Sequence, residues 1–168
     1  MKIIDNFLPK EEFKNLQNFL LSDSFPWFFN GFVVTEGKDI KEDCFQFIHI
    51  FYINGYPTQY FKIVSPLVEK INPLALIRLK ANLTTHGKKI IEHGYHIDQD
   101  DPKNIISSAI FYINDNNGYT KFEDGTKVNS VENRLVIFNS SIKHTGTNCT
   151  DTQRRVILNI NYIKESEV

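Results

Sequence analysis

Cysteine is scarce in this chain, and with it goes the option of a covalently stapled fold. Cys44 and Cys149 stand far apart with no metal-ligand spacing. That argues against a disulfide scaffold and points to two reduced thiols in a cytoplasmic protein. Long apolar runs are absent too, and the opening Met1-Lys2-Ile3-Ile4-Asp5 lacks a signal core, so neither secretion nor a membrane partner is expected. The sequons at Asn82, Asn139 and Asn148 carry no meaning without a secretory route. Lysine and arginine nowhere cluster, and the formal net charge is -1. A binder of duplex nucleic acid would show a basic stripe, although a short single strand or a nucleotide stays open as a substrate. Repeats, low-complexity stretches and linkers are missing as well. The 168 residues, 41% hydrophobic and 23% charged, therefore read as one globular domain with a sizeable core.

What is present divides into two parts. Residues 1–75 read as a helical support. After a short strand at Lys2–Asp5, Pro9 opens a helix with Glu11 and Glu12 in its first turn and a buried stripe of Phe13, Leu16 and Leu20. Phe25-Pro26-Trp27-Phe28-Phe29 reads as core beneath a loop, or as a wall of the substrate cleft. A charged loop at Glu36–Cys44 and a strand at Phe45–Tyr52 follow, and then a helix over Thr58–Ile71 that Pro66 should kink. His49, alternating with apolar neighbours, reads as a core or lining histidine.

From residue 76 to 163 the pattern changes to strands separated by polar turns. Ile77, Leu79, Ala81 and Leu83 share one face, while Arg78, Lys80, Asn82 and Thr84 share the other. The apolar face suits packing under helices and the polar face a charged interior cavity; an exposed edge strand is the blander alternative. Strands follow at Ile105–Ile113, Tyr119–Phe122, Lys127–Val128, Arg134–Asn139 and Arg155–Tyr162. The fold class is α+β, mainly β: a double-stranded β-helix, or cupin-like jelly roll, with supporting N-terminal helices.

Chemistry concentrates in Gly94-Tyr95-His96-Ile97-Asp98-Gln99-Asp100. Side chains two apart on extended backbone project to one side, so His96 and Asp98 reach a common ion. His144 lies 48 residues downstream, room for about four short strands that return a third ligand. Two imidazoles and one carboxylate with open positions opposite are the facial set of non-haem Fe(II) oxygenases. In the last strand, Arg155, Ile157, Asn159 and Asn161 share a face. If that face looks inward, Arg155 is the cavity arginine, able to grip a carboxylate, and Arg154 is the alternative. A rival zinc site for a hydrolase draws on His86, His93 and His96 with Glu92 nearby, although Gly87 and Gly94 make that segment a loop.

With these residues in view, the chain resembles the 2-oxoglutarate- and Fe(II)-dependent dioxygenases, in particular the small prolyl-4-hydroxylase-like branch. Ile4-Asp5-Asn6-Phe7-Leu8-Pro9 resembles the lead into that branch's support helix. Gly118-Tyr119-Thr120-Lys121-Phe122 and Asn133–Asn139 resemble the hairpin and strand that deliver the distal histidine, with Asn117-Gly118 replacing the usual Gly-Gly turn. The resemblance implies Fe(II) on His96, Asp98 and His144, and 2-oxoglutarate paired with Arg155. It also implies polar contacts to the co-substrate from Lys80, Asn82 and Asn159, and dioxygen as oxidant. Hydroxylation of a C–H bond, with release of succinate and CO2, is the implied reaction. The substrate would be a peptide or protein residue or a small molecule. A nucleic-acid or nucleotide demethylase and a non-enzymatic jelly-roll binding module are the alternatives, since fold does not dictate function.

Overall fold

The computed structural model describes residues 1–34 and 44–164; the charged loop expected at Glu36–Cys44 lies, Cys44 apart, outside them. In chain order the elements are β1 (Lys2–Ile4), α1 (Lys10–Leu20), β2 (Phe28–Asn30), β3 (Gln46–Ile53), β4 (Tyr56–Pro57) and α2 (Phe61–Ile71), followed by β5 (Ala75–Thr85), β6 (Ile106–Tyr112), β7 (Tyr119–Phe122), β8 (Lys127–Asn129), β9 (Leu135–Asn139), β10 (His144–Gly146) and β11 (Arg154–Ile163). Among the described residues, eight strands form a major antiparallel sheet in the order β1-β9-β6-β11-β5-β3-β2, with β4 paired to β3, and a minor sheet runs β10-β7-β8. From β6 onward the chain passes from the major sheet to the minor one at β7 and β8. It then returns at β9, crosses again at β10 and closes at β11, the winding of a jelly roll.

The major sheet is covered on both faces, which explains why β6 is buried from Ser107 to Tyr112 rather than alternating. Its outer face carries Leu79, Ala81, Leu83, Ala109, Phe111, Leu135, Val156, Leu158 and Ile160 into one cluster with Phe13, Leu16 and Leu20 of α1 and Val64 and Leu67 of α2. Its inner face meets the minor sheet through Ile110, Tyr112, Phe122, Val128, Val136 and Phe138. That apolar plug fills only one end of the gap between the sheets. Towards β5 and β11 the inner residues turn polar, and there the cavity opens.

Both helices appear where the periodicity predicts, with differences at their ends. Pro9 caps α1 instead of starting it, and α2 begins at Phe61 because Thr58 is held as a turn, its N–H bonded to Phe51 O at 2.8 Å. α2 runs on through Pro66: the carbonyl of Lys62, which proline cannot serve, accepts from Ser65 Oγ at 3.1 Å. β2, β4 and β10 were not foreseen, because two or three residues are too few to show a period. β1, β2 and β3, from the stretch read as helical support, extend the major sheet at its two ends.

Phe111 is fully buried and meets Phe7 and Phe13 edge-on at 6.3 and 5.9 Å between ring centres. Phe111→Ala should cost about 3–5 kcal/mol in urea unfolding. Phe29→Ala, at a side chain 67% exposed, should stay within about 0.5 kcal/mol; equal losses would show that the helix–sheet layer is not the stabilising core.

Candidate active site

His96 and His144 face each other across an isolated antiparallel bridge. His96 N–H donates to His144 O at 3.0 Å, and His144 N–H donates back to His96 O at 2.9 Å. Directly opposed residues put their side chains on one face, and the two rings sit 4.5 Å apart. Two residues on, Asp98 N–H donates to Ser140 O at 3.1 Å, so its carboxylate joins the same side. One donor atom from each of His96, Asp98 and His144 lies within 4.8 Å of the others. Among the described residues no other group of this kind forms. His86 instead stands beside Thr152 O at 3.0 Å, and His86, His93 and His96 do not converge; the zinc-hydrolase cluster receives no support.

The surroundings fix each donor. His144 Nδ1 lies 3.0 Å from Ile142 O and His96 Nδ1 lies 3.4 Å from Gly94 O. A carbonyl only accepts, so Nδ1 carries the proton and Nε2 keeps its lone pair. Burial, with His144 alongside, holds His96 below the ordinary histidine range. Burial pushes the Asp98 carboxyl up, but the neighbouring His144, Ser108 and Arg78 outweigh it and hold it below the usual carboxylate range. Asn159 and Asn161 donate to Asp98 Oδ2 at 3.1 and 3.2 Å. Arg78 in turn donates to Asn161 Oδ1 at 3.0 Å and to Asn159 Oδ1 at 3.3 Å, with its guanidinium 3.6 Å from Asp98. Asn159, expected at the co-substrate, thus directs its amide to the carboxylate. Asn161 has the same parity on β11, the signal by which sequence would have found it.

Arg155 and Arg154 separate as strand parity predicts. Arg154 reaches Leu21 O at 2.6 Å on the helix side, whereas Arg155 is 4% exposed on the inner side. Among the described residues its donors meet neutral acceptors only: Ser130 Oγ at 2.8 Å, Thr147 O at 3.3 Å and Thr120 Oγ1 at 3.3 Å. The ring of Tyr112 lies 5.6 Å away. Gly118 makes room for it, since a Cβ there would stand 2.6 Å from Arg155 Cδ and 2.5 Å from Asn148 O. Thr120, which shares parity with the buried Phe122, was overlooked in the sequence.

These residues line one cavity of about 60 Å³ that holds His96, Asp98, His144, Lys80, Asn82 and Arg155 together. Asn82 donates to Gln46 Oε1 at 2.7 Å, while its own Oδ1 is buried without a partner among the described residues. Burial, with Arg78 nearby, brings Lys80 down to about 8, so its ammonium remains charged at neutral pH. His93 stands between this cavity and an outer groove that also contains Lys88 and Lys89, and both its ring nitrogens are buried without partners among the described residues.

Burial, with Arg155 close by, pushes His93 down to about 4 from its ordinary 6.5. A histidine with a depressed folded value contributes stability that is complete above about pH 6.5 and fades as pH falls through about 4, where the unfolded chain takes the proton first. Across that window wild type should lose up to ~3 kcal/mol more than His93→Gln in urea unfolding. A difference between the two proteins that does not change with pH would remove His93 from the acid response.

No known family and no curated protein sequence matches this chain. Solved structures do. A prolyl-4-hydroxylase from Pseudomonas putida aligns with a TM-score of 0.62 at 16% identity, covering 98% of this chain and 92% of its own. A prolyl hydroxylase from Trichoplax adhaerens, solved with a hypoxia-inducible-factor peptide fragment, gives 0.65 at 16% identity over 96% and 83%. A 2OG-Fe(II) oxygenase family oxidoreductase from Burkholderia pseudomallei gives 0.62 at 7% identity over 95% and 84%. The fold of this chain is that of the prolyl-4-hydroxylases and other 2OG-Fe(II) oxygenases.

Proposed function

We propose that this protein is an Fe(II)- and 2-oxoglutarate-dependent oxygenase, prolyl-hydroxylase-like, that hydroxylates a C–H bond. The observation that carries this reading is Arg155: a buried guanidinium, with neutral partners alone among the described residues, in the same cavity as a His-Asp-His triad. An unpaired buried charge is costly, and a carboxylate is the partner its planar fork fits. The donor set matches the metal equally well: two imidazoles held at Nδ1 by backbone carbonyls leave Nε2 for a metal, beside a carboxyl held below its usual range, and no fourth protein ligand among the described residues closes the site. The fold likeness agrees with both.

When bound, Fe(II) with 2-oxoglutarate and dioxygen supplies oxidative decarboxylation of the co-substrate to succinate and CO2, coupled to hydroxylation. The chain's own residues then have separate tasks. His96, Asp98 and His144 hold the metal, and the carbonyls of Gly94 and Ile142 keep both imidazoles in the ligating tautomer. Arg155 pairs with the far carboxylate. Thr120 Oγ1 already accepts from Tyr112 Oη and from Arg155, so its hydroxyl proton is free to donate to the same carboxylate. Tyr112, Phe122 and Phe138 exclude water from the plugged end.

Residues 1–168 act in this reading as one catalytic unit. Both cysteines are unpaired and no helix among the described residues is long and apolar enough to cross a membrane, which supports a cytoplasmic location. The Trichoplax protein holds a peptide, which makes a peptide or protein residue the first substrate class to assay, ahead of small molecules.

Anaerobic titration of the metal-free protein with Fe(II) and 2-oxoglutarate should produce a weak visible charge-transfer band that His144→Ala abolishes. Arg155→Met should weaken 2-oxoglutarate about 10- to 100-fold, the range for losing a charged hydrogen bond. Arg154→Met should stay within about 3-fold. No band in the wild type refutes the oxygenase reading, and a larger effect at Arg154 refutes the choice of anchor.

A further inference from the structure

We propose that Lys80 is the anchor for an anionic group, a carboxylate or a phosphate, on the primary substrate. The inference builds on the oxygenase reading and names the substrate class of that same site. Sequence placed Lys80 with the co-substrate, but its position in the sheet separates the two. Lys80 pairs with Asn159 of β11, whereas Arg155 pairs with Thr84 of β5. Those rungs are four residues apart along the strand, about 13 Å of backbone. Asn159 and Asn161 hold Asp98, so the triad's carboxylate lies at the level of Lys80 and beyond Ile157 from Arg155. One end of the co-substrate belongs to Arg155 and the other to the metal. Lys80 lies at the level of the Asp98 carboxylate, four residues along the strand from the arginine's rung, and pairs on its other side with Ile50 of β3.

Lys80 is also a charge without a partner. Among the described residues it makes no hydrogen bond, and its electrostatic neighbours are Arg78, which repels it, and Asp98, which attracts it. Asp98 is already held by Arg78, Asn159 and Asn161. Asp98 is the one acid lining the cavity among the described residues, against Lys80 and Arg155, with Arg78 behind. A divalent metal and a doubly charged co-substrate cancel each other, so filling the site leaves the same positive surplus. The outer groove, of about 650 Å³, shares Thr84 and His93 with the cavity and adds Lys88 and Lys89, again with no acid in its described lining. A route lined this way favours an anion at every step, and Lys80 is the cation left over once Arg155 holds the co-substrate. The adjoining wall continues polar through Asn82, whose Oδ1 is buried and unpartnered, and Gln46.

The test follows the Lys80 side chain itself, so it does not depend on turnover. Protein labelled with ¹³C at lysine Cε is compared with Lys80→Met to identify the Lys80 resonance. N-acetylglycine, inorganic phosphate and the uncharged N-acetylglycinamide are then titrated into the full-length protein, both metal-free and loaded with Zn(II) and 2-oxoglutarate. One of the two oxyanions should move the Lys80 resonance saturably in both forms, and the amide should not; which oxyanion responds decides between a carboxylate and a phosphate substrate. Lys80→Met should weaken binding of that oxyanion at least ~10-fold and change 2-oxoglutarate affinity less than ~3-fold, and Lys80→Arg should restore the former. The proposal is overturned if neither oxyanion moves the resonance, or if 2-oxoglutarate alone removes the response, which would make Lys80 a co-substrate contact. A wild-type protein with no iron–2-oxoglutarate band fails the oxygenase reading separately, because the metal-free titration is still read.

Discussion

The reciprocal pair of backbone hydrogen bonds between His96 and His144 is the constraint on which the site depends. Each residue donates to and accepts from the other, at 3.0 and 2.9 Å, so two imidazoles 48 positions apart in sequence are locked in register by main-chain chemistry alone. The carbonyls of Gly94 and Ile142 then set the tautomers, again from the main chain. The ligand pair therefore survives variation in the surrounding side chains. What it needs is the loop from Gly94 to Asp98 lying against β10, and that requires the jelly-roll winding that returns β10 to the minor sheet.

The major sheet imposes the other half of the arrangement. Its outer face is a continuous apolar layer under α1 and α2, and a period of two forces the alternate residues of β5 and β11 inward. Arg78, Lys80, Asn82 and Thr84 on one strand meet Arg155, Ile157, Asn159 and Asn161 on the next, rung by rung. Burying polar groups is tolerated where each finds a partner. The Asp98–Asn159–Asn161–Arg78 network achieves that, whereas Arg155 and Lys80 have no anionic partner among the described residues. The contrast separates groups that support the site from groups that wait for a ligand.

How much of this was legible in the sequence follows from the same physics. Parity on β5 and β11 is readable because both strands are long, and it sorted Arg155 from Arg154 correctly in direction. The His96–Asp98 spacing is readable because it is local. β10 was not, since three residues carry no period and its identity comes from β7 across the sheet. For Asn159 parity gives a face and not a partner; only the position of Asp98 shows where the amide is directed. The same holds for Lys80, whose face is readable from parity and whose ligand is not. The role of His93 was hidden because a histidine in a glycine-flanked loop has no pattern to place it, and its unpartnered nitrogens emerge only once β10 and β5 enclose it.

The cavity therefore sets stability against readiness. Arg155 and Lys80 each sit where burial disfavours charge, so the fold carries their desolvation with little electrostatic return from the described residues. Two apolar layers, one on each face of the major sheet, offset that cost and keep the charges aimed at the same space. Any ligand that satisfies them binds the folded chain alone and shifts the folding equilibrium by mass action. Because Lys80 and Arg155 stand four residues apart along paired strands, an anion held by one leaves the other's charge in place. A site built from pre-placed, unpaired cations thus selects its ligands by charge before it selects them by shape, since a neutral molecule of the same size leaves the buried cations as costly as before.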